Sequence, residues 1–239
     1  MTYSFGPGPM TPAVKAIIWA NVALYVISRF FPVIIGYLGL TPAAVLEHGW
    51  IWQPATYMFL HAPQPVHILF NMLGVWMFGV ELERMWGTRF FARYYAITGI
   101  GAGLTAIGAS LLPMAALHAT YALPTIGASG ALYGLLMAYA MYFPDRPILM
   151  FLLFPIPAKY FVMILGALAF LLAPGSQVSN SAHLGGLLFG YVYLKTRHGG
   201  GGSITAEIKY RYLKWKMNRL RRKFDVYSGG RSDWDKHVH

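Results

Sequence analysis

Three short segments place hydrogen-bonding side chains inside otherwise apolar stretches: His67-x-x-x-Asn71, Gly127-Ala128-Ser129-Gly130 followed by Tyr133, and Asn180-Ser181-Ala182-His183 followed by Gly186 and Gly190. A serine hydroxyl becomes a nucleophile when a neighbouring base takes its proton, and a histidine is the commonest such base. A second histidine, an asparagine amide and the unpaired N–H groups at a helix start are the donors that stabilise a developing oxyanion. Together these residue types describe acyl transfer by a serine–histidine pair, provided that the chain brings the three segments to one place.

The composition sets the surroundings in which this must happen. The chain has 239 residues, of which 56% are hydrophobic and 11% charged, with a mean hydropathy of +0.48. Soluble domains carry roughly 25% charged residues, so an all-α polytopic membrane protein is expected. The absence of cysteine excludes disulfides, thiolate nucleophiles and Cys-ligated zinc or iron–sulfur centres. No cofactor and no metal are expected, since His48, His61 and His118 lack ligand spacing.

A bilayer core needs roughly 20 apolar residues as helix, and six stretches approach that: about 13–34, 66–86, 91–112, 125–143, 158–174 and 182–196. This gives a short N-terminal segment over 1–12, a membrane domain over 13–196 and a basic tail over 197–239. The first stretch reads as a retained helix rather than a cleaved signal peptide. With the N-terminus cytoplasmic, Arg84, Arg89, Arg93, Arg146 and Lys159 fall on the inner side and the outer connections hold no Lys or Arg, as the positive-inside rule requires. Arg29 alone dissents, and is assigned to snorkelling toward the outer interface. The first outer connection, about 35–65, carries Trp50, Trp52 and Tyr57 and is expected to be partly embedded among headgroups. Four prolines between Phe143 and Ala158 preclude a regular helix there.

Under this topology the second, fourth and sixth spans all run inward, so His67, Asn71, Ser129 and His183 share one depth near the outer face. Gly130 and Gly134 on the fourth span, and Gly186 and Gly190 on the sixth, offer small faces spaced by four that let helices approach closely in lipid. Their contact would bring the Ser129 hydroxyl to the His183 ring.

These motifs resemble the rhomboid intramembrane serine proteases, over roughly residues 14–196 and in the family's order. The resemblance implies that Ser129 is the nucleophile and His183 the base of a dyad without an aspartate. It further implies that His67 and Asn71 help form the oxyanion hole, that Tyr133 stacks under the base, and that Asn180 lines the site, with Gly127, Gly130 and Gly186 supporting it. Glu83-x-x-x-Gly87 is similar to the family's structural glutamate and glycine. One departure is Ile51-Trp52-Gln53, where many members have a Trp-Arg pair. The implied activity is cleavage of single-pass or polytopic membrane-protein substrates at or near the outer face. Substrates would enter laterally, beneath a mobile connection around Pro174 to Ser181.

Competing readings are weaker. A lone serine in a transmembrane helix ordinarily bonds its own i−4 carbonyl, but here two histidines share its depth. Gly101-x-Gly103-x-x-Ala106 matches a loose dinucleotide pattern inside an apolar span with no preceding strand, and reads as helix packing. No H-E-x-x-H or G-x-S-x-G occurs, and every aspartate lies outside the spans. A silent relative that binds transmembrane clients, or a transporter, is the alternative; a transporter should show repeated halves, and none is evident. The tail has Tyr210, Leu213, Met217, Leu220 and Phe224 along one face of a basic amphipathic helix over about 204–224. Anionic lipid is its expected partner, and nucleic acid is not. The compact core is expected in a bacterial inner membrane with both termini cytoplasmic. Oligomeric state and substrate identity are not legible.

Overall fold

The computed structural model describes residues 6–150, 154–171 and 180–197. Its elements are α1 (Pro12–Phe30), α2 (Val33–Leu38), α3 (Pro42–His48), α4 (Gln53–Thr56), a 3-10 turn (Tyr57–Phe59), α5 (Pro65–Trp86), α6 (Thr88–Ser110), α7 (Ala115–His118), α8 (Ser129–Tyr142), β1 (Pro147–Met150), β2 (Phe154–Pro157), α9 (Ala158–Leu171) and α10 (Asn180–Arg197). Helices α1, α3 and α5 each begin on a proline, which suits a first turn whose N–H has no intrahelical partner.

Two of the described helices, α1 and α5, are long and apolar enough to cross a membrane, and α9 is a shorter apolar helix. At 14 residues each, α8 and α9 are about 21 Å long, shorter than the spans expected from hydropathy. The first span ends at Phe30 rather than near residue 34, because Phe31 precedes Pro32 and leaves the helical region at φ −127° and ψ 74°, as a residue before proline tends to. The fourth begins at Ser129 rather than near 125 because Gly127 breaks the chain direction at φ +126°.

The described residues are predominantly helical, as expected, with one local exception. In the proline-rich segment β1 and β2 pair antiparallel, in register Pro147↔Pro157, Ile148↔Ile156, Leu149↔Pro155 and Met150↔Phe154. Proline denies this segment the helix and tolerates a two-stranded edge. The proposed tail helix over 204–224, and the connection over 172–179, lie outside the described residues.

The contacts that define the fold lie within the unit Met1–Leu194. Helix α6 is its axis. Phe91, Tyr94, Tyr95, Thr98, Ala102 and Ala106 are all buried, and the Tyr94 hydroxyl donates to the Gly134 carbonyl of α8 at 2.7 Å. Glycines set the helix separations. A Cβ on Gly186 would fall 2.0 Å from the Gly130 carbonyl oxygen, and one on Gly190 would fall 3.2 Å from the Gly134 Cα.

The other end of α5 is tied to α1. Glu83 accepts hydrogen bonds from the Thr11 and Thr88 hydroxyls and from the Ala13 and Val14 N–H groups. It thereby satisfies donors that α1 cannot pair internally. Arg84 donates to the Pro7 and Pro9 carbonyls, so the segment before α1 is fastened to the same end.

The segment between α1 and α5 is a folded layer rather than a surface loop. Gln53 is fully buried. Its Oε1 accepts from the Thr41 N–H at 2.9 Å, and its Nε2 donates to the Gly36 and Tyr37 carbonyls at 3.3 Å. Tyr37, Trp50 and Trp52 cluster at ring separations of 5.1–5.8 Å. Tyr57, read from sequence as interfacial, is instead buried in the core.

Candidate active site

Ser129 is the first residue of α8, so the N–H groups of that first turn have no intrahelical acceptor. The Ser129 Oγ lies 2.8 Å from Nε2 of His183 on α10. Tyr133, one turn along α8, stacks on the His183 ring at 4.2 Å between centroids and 3° between planes. Stacking fixes the ring plane and the serine contact fixes its rotation, so His183 is held from two sides.

The depth of this pair follows from α6. Gly130 packs against Ala102, whose Cβ would be 2.6 Å from a Cβ on Gly130. Ala102 lies eight residues (110 − 102) before the Ser110 end of α6, which is about 12 Å at 1.5 Å per residue. Ser129 is therefore recessed beneath that end of the bundle.

The chain reaches this depth by a route fastened to the segment between α1 and α5. Leu40 and Thr125 form an antiparallel bridge with N–H to carbonyl distances of 2.9 and 2.8 Å. Two residues on, the Gly127 N–H donates to the Tyr57 carbonyl at 3.1 Å. The Tyr57 hydroxyl donates in turn to the Gly99 carbonyl of α6 at 2.8 Å.

Gly127 also defines the open space beside the serine. A Cβ there would lie 3.1 Å from the His67 Nε2 and 3.7 Å from the Ser129 Oγ, so the missing side chain is the gap between the two. Nδ1 of His67 accepts the Ala62 N–H at 3.1 Å. Asn71, one turn further along α5, donates through Nδ2 to the His67 carbonyl at 2.8 Å, while its buried Oδ1 has no hydrogen-bond partner among the described residues. One amide hydrogen of Asn71 is thus committed to its own helix and the other is left over.

Ser129, Tyr133, His183, Gly127 and His67 therefore converge, with Asn71 one helical turn behind. Gly130 and Gly186 supply the close approach beneath them. Asn180 is the buried first residue of α10, one turn before His183. Among the described residues no group of three or more His, Cys, Asp or Glu side chains is arranged to hold a metal. His48 and His118 are exposed and stand apart from the cluster.

Sequence reasoning passed over Leu40 and Thr125 and gave Tyr57 no part in the site, since their contributions are largely main-chain and carry no motif. His61 entered that reading as a histidine without ligand spacing. It is buried, with its ring 5.1 Å from that of His67 in an edge arrangement. A separate apolar cavity of about 400 Å³, lined by Met137, Met141, Lys159, Val162, Gly166 and Leu187 among others, lies toward the Tyr142 end of α8. It does not include the serine or the histidines.

Comparison with known proteins gives a consistent assignment. The Rhomboid domain family profile matches residues 48–199, which include every residue of this cluster. The chain is 34% identical over 131 residues to Rhomboid protein 1, mitochondrial, of Saccharomyces cerevisiae, covering 53% of this chain and 36% of that protein. It is 32% identical over 153 residues to Rhomboid protease GluP of Bacillus subtilis, covering 64% and 27% respectively. It is also 32% identical over 151 residues to Putative rhomboid protease YdcA of the same bacterium, covering 62% and 67%. The chain thus spans only about a third of the length of the first two. The match covers more than half of the chain, and the chain belongs to the rhomboid family of integral membrane proteins.

Proposed function

We propose that the protein is an intramembrane serine endopeptidase that cleaves membrane-protein substrates in or near their transmembrane segments. The observation that carries this reading is the 2.8 Å approach of the Ser129 Oγ to Nε2 of a His183 ring stacked on Tyr133. Ser129 attacks the scissile carbonyl while His183 takes its proton and returns it to the leaving amine. The carbonyl oxygen, now negatively charged, occupies the gap at Gly127. There it meets the His67 Nε2 and the N–H groups of the first turn of α8, with Asn71 and Asn180 bordering the space. Water then releases the acyl group by the same proton transfers in reverse.

Helices α1, α5, α6, α8, α9 and α10 cross the membrane with both termini cytoplasmic. Arg84, Arg89, Arg93, Arg146 and Lys159 sit at the inner ends. The recessed start of α8 leaves the site open to the outer face and below the headgroups, where water and a transmembrane segment can both arrive. The Tyr37, Trp50 and Trp52 cluster, beside the largely exposed Val33 and Ile51, suits an outer connection lying in the interface. The basic tail binds anionic lipid on the inner leaflet, in a bacterial inner membrane.

The test is cleavage of a reporter transmembrane substrate by the full chain in lipid vesicles. Wild type should cut it, and neither Ser129→Ala nor His183→Ala should. If folded wild type binds the reporter without cutting, the chain is instead a rhomboid-like protein that holds transmembrane clients.

A further inference from the structure

Behind His67 stands a corner that no motif announces. Ala62 donates its N–H to Nδ1 of His67 at 3.1 Å, and the ring of the preceding residue, His61, meets the His67 ring at 5.1 Å and 63°. A neutral imidazole carries one N–H and one lone pair. Since Nδ1 accepts from Ala62, the ring hydrogen belongs on Nε2, and Nε2 is the atom that faces the gap at Gly127.

The corner itself is held firmly. The Tyr25 hydroxyl of α1 donates to the Pro63 carbonyl at 2.8 Å, and the His67 N–H donates to the Gln64 carbonyl at 3.0 Å. His61 is only 1% exposed, and neither of its ring nitrogens has a hydrogen-bond partner among the described residues. Burial lowers its pKa to about 3, so it stays neutral and acts as a wall rather than as a proton donor.

We propose that the His61–Ala62 corner is a positioning device for His67, fixing its tautomer and ring orientation so that Nε2–H is a ready donor beside Ser129. This rests on the reading that the gap at Gly127 receives the oxyanion. The corner never touches substrate. Ala62 sets which nitrogen carries the hydrogen, and His61 blocks the rotation that would turn the donor away.

The test is nitrogen NMR of histidine-labelled full chain in detergent at neutral pH, with His67→Gln identifying the His67 signals. The expected spectrum has the hydrogen on Nε2 and a lone pair on Nδ1. A wild-type spectrum with the hydrogen on Nδ1 overturns the proposal without any positional variant having to fold. Ala62→Pro deletes the N–H, and should broaden or split the His67 signals and slow fluorophosphonate labelling about fivefold, the scale of one modest hydrogen bond. Ala62→Gly, which keeps the N–H, should restore the spectrum and much of the rate. A folded Ala62→Pro variant with unchanged spectrum and rate also overturns the proposal. A folded wild type that takes no probe overturns the protease reading alone, and the tautomer spectrum still decides this one.

Discussion

Gly186 of α10 and Gly130 of α8 meet backbone to backbone, so closely that a Cβ on Gly186 would stand 2.0 Å from the Gly130 carbonyl oxygen and 3.3 Å from the Tyr133 Cβ. His183 lies one turn before Gly186 on the same helical face, so the separation of the two helices at this point sets the reach of the base.

Gly186→Ala should therefore push α10 away from α8. The clash is with backbone, which cannot rotate aside, and overpacking of this kind costs about 1–3 kcal/mol or more. The expected outcome is a lowered melting temperature in detergent together with loss of cleavage. Retained cleavage at wild-type rate would mean that the helices separate without moving His183.

Gly127→Ala acts on the gap itself. The new methyl would occupy the space between the His67 Nε2 and the Ser129 Oγ, at a φ of +126° that side chains rarely adopt. Cleavage should fall at least a hundredfold, the loss associated with an oxyanion donor. Single-turnover measurement should place that loss in the chemical step.

Tyr133 separates stacking from hydroxyl chemistry. Its ring lies flat on His183, so Tyr133→Phe should keep cleavage within about threefold, while Tyr133→Ala should lose tenfold or more as the imidazole gains freedom. Equal losses in both variants would assign the role to the hydroxyl.

Two histidines give acid sensitivity of different kinds, one in activity and one in stability. His183 must be neutral to act as base, so cleavage should fall as pH drops through its protonation. A rate that does not fall at any acid pH at which the protein stays folded would contradict the dyad. His61 bears on stability instead. Its folded pKa is lowered by burial to about 3, below the unfolded value, so its contribution is complete above about 6.5 and is lost as pH falls toward 3. By pH 5 the loss is about 2 kcal/mol, at 1.36 kcal/mol per unit. His61→Phe should flatten the acid side of the melting-temperature profile.

What the sequence made legible was whatever depends on helical spacing. Intervals of four put His67 with Asn71 and Ser129 with Tyr133, and intervals of three and seven put His183 with Gly186 and Gly190, because residues so spaced share a helix face, and the glycine pairs identified the helices that touch. The hidden part is held by main-chain bonds between distant segments: the Leu40–Thr125 bridge, and the Gly127 N–H on the Tyr57 carbonyl. Any residue can make such bonds, so they leave no trace in side-chain identity. Gln53 was visible only as a departure from a Trp-Arg pair, and its three contacts emerge once the outer connection folds around it. The strand pair over 147–150 and 154–157 was legible as a place where no helix can run, without its register. The recessed start of α8 was not legible either, because the residues before Ser129 are as apolar as those after it.

The central claim is that Ser129 is a nucleophile activated by His183. Its most direct test is to treat the full chain in detergent with a fluorophosphonate and locate the adduct by peptide mass spectrometry. Phosphonylation of Ser129 is expected in wild type and none in His183→Ala. An adduct on another serine, or a folded wild type that remains unmodified, would contradict it.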